Sequence, residues 1–147
     1  MSFQFAYNVN GSNSNPPVAV TWPLAGTGAY QVGDLLIMDT SAASGYMGTV
    51  AAGNPGTVAA VNAAYRASGT AGQPGTVYLI DPSQIWKCTT DNTTYAIKPG
   101  AGSVQMLNAG TINSTPGTTT NCTLYAQAIL PGDTNVTAYV RFPNTTF

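Results

Sequence analysis

Residues 75–88, Gly-Thr-Val-Tyr-Leu-Ile-Asp-Pro-Ser-Gln-Ile-Trp-Lys-Cys, predict two short β-strands that meet at a corner. The first strand, residues 76–80, is a run of β-branched and aromatic residues. Asp81-Pro82 ends it, because proline fixes φ, has no N–H, and holds the preceding residue out of the α region. Residues 83–88 then return to extended structure. We expect two sheets to meet across this corner and to share a core made of Leu79, Ile85 and Trp86.

Charge is scarce along the whole chain. Of the 147 residues, 44% are hydrophobic but only 6% are charged, against about 25% in an average soluble domain. The length fits one domain, residues 1–147, whose core needs neither a metal nor a disulfide bond. With a net charge of -1, electrostatic repulsion between copies is weak. This composition favours a protein that packs against neighbours.

The missing residue types exclude several functions. The chain has no His and no Glu, so general acid–base catalysis and imidazole metal binding lack their usual groups. We therefore predict no enzymatic activity, no catalytic or metal-binding residue and no cofactor. The four Lys and Arg residues form no basic patch, so we expect neither nucleic acid nor a membrane as a partner. No secretory signal is visible at the N-terminus, which predicts synthesis in the cytoplasm.

Short apolar runs separated by turn residues predict further strands before the corner. Residues 2–9 alternate, and we expect one face to carry Phe3, Phe5, Tyr7 and Val9. Residues 57–67 fit either a helix or a strand, and because their neighbours are β we predict a strand followed by irregular chain. The other predicted strands of this half are residues 18–22, residues 35–38, which we expect to be buried on both faces, and residues 46–51.

The same pattern continues after the corner. We predict residues 110–121, which are rich in Thr, Ser, Pro, Gly and Asn, to form a loop anchored only by Ile112. A hairpin is predicted from two alternating strands, residues 122–130 and 135–142, with the turn at residues 131–134. Strands are also predicted at residues 93–97 and 103–107. About ten short strands and no predicted helix indicate an all-β fold, a single-domain antiparallel β-sandwich or barrel with an extended N-terminal segment.

Both chain ends carry large apolar groups. Chain ends normally fray unless something holds them, so aromatic residues at both ends predict a contact. Residues 1–17 fit either an extended arm laid on a partner or the first strand of the domain, and residues 143–147 fit a C-terminal tail. We predict a contact with a partner, or with sister subunits, through Phe3, Phe5, Tyr7, Phe142 and Phe147.

The two cysteines, Cys88 and Cys122, both lie in predicted strands. A buried free thiol behaves as a small hydrophobe, and cytoplasmic synthesis disfavours a disulfide. Two reduced core cysteines are the favoured interpretation, and a disulfide bond between them is the alternative.

The order of segments resembles the small β-rich decoration (cement) proteins of tailed-bacteriophage heads. The resemblance covers about residues 30–90 and rests on three stretches: Tyr30-Gln-Val-Gly-Asp-Leu-Leu-Ile-Met-Asp, Gly45-Tyr-Met-Gly-Thr-Val, and Gly75-Thr-Val-Tyr-Leu-Ile-Asp-Pro-Ser-Gln-Ile-Trp-Lys. It implies a virion structural protein without catalysis that binds the major capsid protein on the outer surface of a phage head and stabilises it. It also implies a homo-oligomer, either a trimer or a dimer.

A recognition module of a virion tail or fibre is the competing interpretation. Such a β-sandwich would bind a carbohydrate or a receptor by stacking sugar rings on aromatic side chains. The candidate stacking residues are Trp22, Tyr30 and Tyr46. If these three cluster on one exposed face, the recognition module gains support, whereas exposed apolar groups gathered at the terminal segments support assembly.

Overall fold

The strands of the computed structural model form two sheets, and the prediction of an all-β fold is confirmed. The structure describes residues 3–11, 16–39, 45–91, 102–127, 131–134 and 136–147. Within these ranges there are eleven strands and no helix. The strand predicted at residues 93–97 lies outside the described residues.

The five-stranded sheet contains the strands from the first half of the chain. They are β2 (Ala19–Pro23), β3 (Leu35–Met38), β4 (Met47–Thr49), β5 (Val58–Asn62) and β6 (Pro74–Leu79). Their order is β2-β6-β5-β3-β4, and every pairing is antiparallel. A bridge between Leu24 and Met47 joins the two ends of this order, so the sheet curls towards a barrel.

The six-stranded sheet contains the N-terminal strand and the described strands after the corner. They are β1 (Gln4–Asn8), β7 (Gln84–Thr90), β8 (Val104–Asn108), β9 (Thr111–Pro116), β10 (Thr123–Gln127) and β11 (Thr137–Arg141). The order is β10-β11-β7-β9-β8, with β1 also paired to β7. A bridge between Ser103 and Thr123 joins the ends of this sheet as well.

The predicted corner joins the two sheets, since β6 belongs to one and β7 to the other. Asp81 fixes the turn: its carboxylate accepts the Ser83 N–H at 2.7 Å, and its own N–H donates to Gln84 Oε1 at 3.1 Å. The two sheets do share a core, because one apolar cluster contains Val61 and Ile80 from the five-stranded side together with Trp86. The prediction is wrong for the other two residues: Leu79 packs against a separate cluster, and Ile85 is fully buried but belongs to neither cluster.

Two apolar clusters therefore hold the molecule together. The larger one lies between the two sheets and contains residues from both. The smaller one lies on the other face of β3 and β5. Leu35 belongs to the larger cluster and its neighbour Leu36 to the smaller one, which confirms that this strand is buried on both faces. Cys88 and Cys122 are free and buried in the larger cluster, in agreement with the favoured interpretation.

Two local predictions fail for reasons of strand pairing. Residues 111–116 are strand β9 and not a loop, because β9 pairs with β8 and runs parallel to the end of β7, with Ile112 fully buried. In β1 a bulge between Phe5 and Tyr7 interrupts the alternation, so Tyr7 does not share a face with Phe5.

Candidate functional site

An apolar groove of about 430 Å³ opens between the two sheets beside the N-terminal strand. One wall is formed by β1 and β7, and the opposite wall by the end of β5 and by β6. The residues that line it are Phe3, Gln4, Phe5 and Trp86 on the first wall, Val61, Asn62, Ala63 and Tyr78 on the second, and Pro16, Pro17, Val32 and Gly33 from the connecting segments. None of these residues is charged.

Exposed apolar side chains gather around this groove. Val32 and Tyr78 line it and remain 53% and 36% exposed. Val18, which follows the lining residue Pro17, is 62% exposed, and its carbonyl accepts the Leu79 N–H beside Tyr78. Apolar side chains scattered singly over a surface are ordinary, but a set grouped around one concave opening is typical of a binding surface.

Two buried polar atoms of lining residues have no hydrogen-bond partner in the described part of the chain. They are the indole N–H of Trp86 and the amide oxygen Oδ1 of Asn62, on residues that are each 1% exposed. The amide nitrogen of Asn62, in contrast to its oxygen, is hydrogen-bonded: it donates to the carbonyls of Gln31 and Ala64, both at 2.8 Å. A buried polar atom without a partner costs about 1–3 kcal/mol, so a ligand in the groove that accepts the Trp86 N–H gains that energy. Asn62 pairs with Val77, and its side chain therefore lies on the face opposite to the groove residues Val61 and Tyr78.

The predicted contact residues near the chain ends do not all reach the surface. Phe3 and Phe142 are buried against each other, with ring centroids 5.7 Å apart, because both belong to the larger core cluster. Phe5 is half-buried and packs edge-on against Trp86 at 5.9 Å. The rings of Phe3 and Phe142 are therefore not available at the surface, and the open feature beside β1 is the groove.

Tyr7 belongs to a separate polar and aromatic cluster. Its ring lies 6.2 Å from Tyr125 and 6.1 Å from Tyr139, and burial raises the pKa of Tyr7. The hydroxyl of Tyr139 donates to Asp133 at 2.7 Å, and burial together with this bond raises the pKa of Tyr139. Lys87 Nζ lies 2.9 Å from the other oxygen of Asp133, whose side chain is 1% exposed. The buried Asp133 carboxylate is thus paired with one cation and one hydroxyl donor.

The C-terminal residues 143–147 dock onto the domain and leave Phe147 outside. The N–H of Thr146 donates to the carbonyl of Val58 at 2.9 Å, which lays the tail beside the start of β5. Phe147 is 51% exposed and contacts Trp22 edge-on, with centroids 5.4 Å apart. Of the five predicted contact residues, Phe147 has the most exposed side chain.

The aromatic residues considered for sugar stacking do not form one exposed face. Tyr30 is 3% exposed, and the guanidinium of Arg66 covers its ring at 4.6 Å from the centroid. Trp22 is half-buried and its indole N–H donates to the carbonyl of Gly45 at 2.9 Å. Tyr46 is also half-buried, and its hydroxyl lies next to Gly72. A flat stacking platform made of these three rings is therefore absent.

Other kinds of site have little support in the described ranges. No group of three or more His, Cys, Asp or Glu side chains comes together there in a way that could hold a metal ion. No helix long and apolar enough to cross a bilayer occurs in that part of the chain. Burial raises the pKa of both the Cys88 and Cys122 thiols, which removes them from nucleophilic chemistry at neutral pH.

Comparison with protein-family models, with curated protein sequences and with solved structures gave no match. The function of the groove is therefore inferred from its geometry.

The exposed rim residues of the groove, Val32 and Tyr78, could not be predicted from the sequence, because a turn residue and an outward strand residue give no sequence signal until two distant segments meet. The alternation of residues 76–80 does place Tyr78 on the face of the strand opposite to Val77, and this is the sequence signal that could have found it.

Proposed function

We propose that this protein is a virion structural protein that binds the outer surface of a tailed-phage head and stabilises it, without catalysis. The observation that carries this proposal is the uncharged groove beside β1, with the exposed Val32 and Tyr78 on its rim. An apolar opening of this kind suits contact with another protein surface, where burial of apolar area supplies most of the energy. The partner that we propose, the major capsid protein, is the one that the resemblance of residues 30–90 to head decoration proteins implies.

The scarcity of charge agrees with this proposal. A decoration protein packs densely against neighbours, and a neutral polar surface permits close approach without the cost of burying ions. We predict that attachment to heads changes little between low and moderately high salt, because apolar burial is insensitive to ionic screening. Sedimentation of heads with bound protein at increasing NaCl measures this. A steep loss of binding would show that charges carry the contact.

The proposal is tested by adding the purified protein to phage heads that lack it. Bound protein is measured by sedimentation, and head stability by thermal disruption. The double variant Val32→Ser/Tyr78→Ser removes two apolar groups from the groove rim and is expected to weaken binding by roughly thirtyfold, corresponding to about 2 kcal/mol of lost burial.

Tyr65→Ser/Leu107→Ser is the matched control, because it removes a tyrosine and an aliphatic group that are 60% and 43% exposed away from the groove. This control should bind like the unmodified protein. Absence of the protein from purified particles, or equal binding by the two double variants, contradicts the proposal.

A further inference from the structure

The groove follows the edge of strand β1. Successive residues of a strand point to opposite faces of its sheet, yet Phe3, Gln4 and Phe5 line the groove one after another. A cavity that touches both faces in succession runs along the edge of the strand. On its other side β1 pairs with β7, and it pairs with no second strand among the described ones. Just before β1 the Phe3 N–H donates to the Gly33 carbonyl at 3.0 Å, so the free edge begins after Phe3.

The chemistry of the groove matches a peptide. Trp86 offers an unpartnered N–H donor, and the free side of β1 carries backbone N–H and C=O groups that a peptide backbone complements. The lining is uncharged, so a charged occupant would lose its hydration without a counter-ion. The apolar walls, which include Phe5, Val61 and Tyr78, accommodate an apolar side chain.

We propose that β1 is a docking edge: an extended, uncharged segment of the head protein adds to it as an extra strand and inserts an apolar side chain into the groove. This mode of recognition uses backbone hydrogen bonds for affinity and the pocket for specificity. The inference rests on the proposed function, since it names how the head protein is bound.

Hydrogen exchange followed by mass spectrometry tests the docking edge, with the full-length protein free in solution and bound to heads. New backbone bonds should slow exchange by about tenfold, the effect of one added hydrogen bond, for those N–H groups of residues 4–7 that point away from β7. Strand β2, which is also an end strand of its sheet, is the control, and its exchange should not change. The variant Trp86→Phe, which keeps a ring but loses the N–H, should bind heads about tenfold more weakly.

The outcomes separate the two proposals. If the protein does not bind heads at all, the proposed function fails and the docking edge fails with it. If it binds while exchange in β1 stays the same, or slows equally in β1 and β2, only the docking edge is overturned. If β1 is protected in the absence of heads as the protein concentration rises, the occupant is a second copy of this chain and the assignment to the head protein is wrong. Because the exchange experiment uses the unmodified protein, a folding defect of Trp86→Phe does not affect the result.

Discussion

Arg66 is the residue whose removal we expect to change stability most clearly. Although it is charged, it is only 7% exposed. Its guanidinium donates to the carbonyls of Gly26, Gly28 and Gln73 at 2.6, 3.0 and 3.1 Å, and it covers the ring of Tyr30. One side chain thus ties together two connecting segments that cover the smaller core cluster.

The size of the effect follows from these contacts. A hydrogen bond from a charged donor contributes about 1.5–3 kcal/mol, but we take about 1 kcal/mol for each of the three bonds, because two of the acceptors belong to exposed residues that water can reach. The cation–π contact adds about 1 kcal/mol. The substitution Arg66→Met, which keeps the apolar stem, should therefore lower the free energy of unfolding by about 4 kcal/mol.

Arg141→Met is the matched control. It removes the same charge, but Arg141 makes one described bond of this kind, from Nε to the carbonyl of Pro82 at 2.7 Å. Its expected cost is about 1 kcal/mol. In urea denaturation, the midpoint should fall by about 2 M for Arg66→Met and by about 0.5 M for the control, at a slope of about 2 kcal/mol/M. Equal losses for the two variants, or a difference that disappears in high salt, would refute the account, since these are bonds to neutral carbonyls.

Three further predictions concern stability and reactivity. Phe3→Ala should cost about 3 kcal/mol because Phe3 is 2% exposed, whereas Phe147→Ala should cost less than about 1 kcal/mol, and thermal unfolding of the two variants checks the order. Cys88 and Cys122 should not react with a thiol reagent in the folded protein, and should both react once it is unfolded; labelling at equal rates in both states would contradict their burial. The pKa of Tyr139 is raised above its ordinary value of 10.0, so folding favours its protonated form. Its contribution to stability is complete below about pH 10 and is lost as pH rises through the higher folded value. The urea midpoint should fall between about pH 8 and about pH 11, and this fall should be smaller for Tyr139→Phe than for the unmodified protein. An identical fall in the two proteins would show that other groups cause it.

The regular parts of the fold could be predicted from the sequence because their local signals are strong. The Asp81-Pro82 break, the two-sided burial of Leu35 and Leu36, and the hairpin of β10 and β11 all follow from proline chemistry or from apolar periodicity. The prediction for residues 57–67 is also confirmed, since β5 ends at Asn62 and irregular chain follows.

Other features could not be predicted, because they depend on contacts between distant segments. Strand β9 mixes the β-branched residues Thr111, Ile112 and Thr115 with Asn, Ser and Pro, so its local signal is ambiguous and its pairing with β7 and β8 decides that it is extended. The bulge in β1 moves Tyr7 to the face of Tyr139, which no alternation pattern reveals. The groove arises where β1 meets β5 and β6 from the other sheet. Its rim residue Val32 gives no sign of exposure within its own segment.

The bridges that join the ends of each sheet have a consequence for colloidal behaviour. Open strand edges are templates for aggregation, and most domains limit it with charge on the edge strands and with mutual repulsion. This chain has a net charge of -1 and little such repulsion. Instead, the Leu24–Met47 bridge covers part of one edge, and Gly53, paired with Met106, occupies the edge of β8. Topology thus takes part of the role that charge has elsewhere, because these bridges shorten the unpaired edges through which copies could join sheet to sheet.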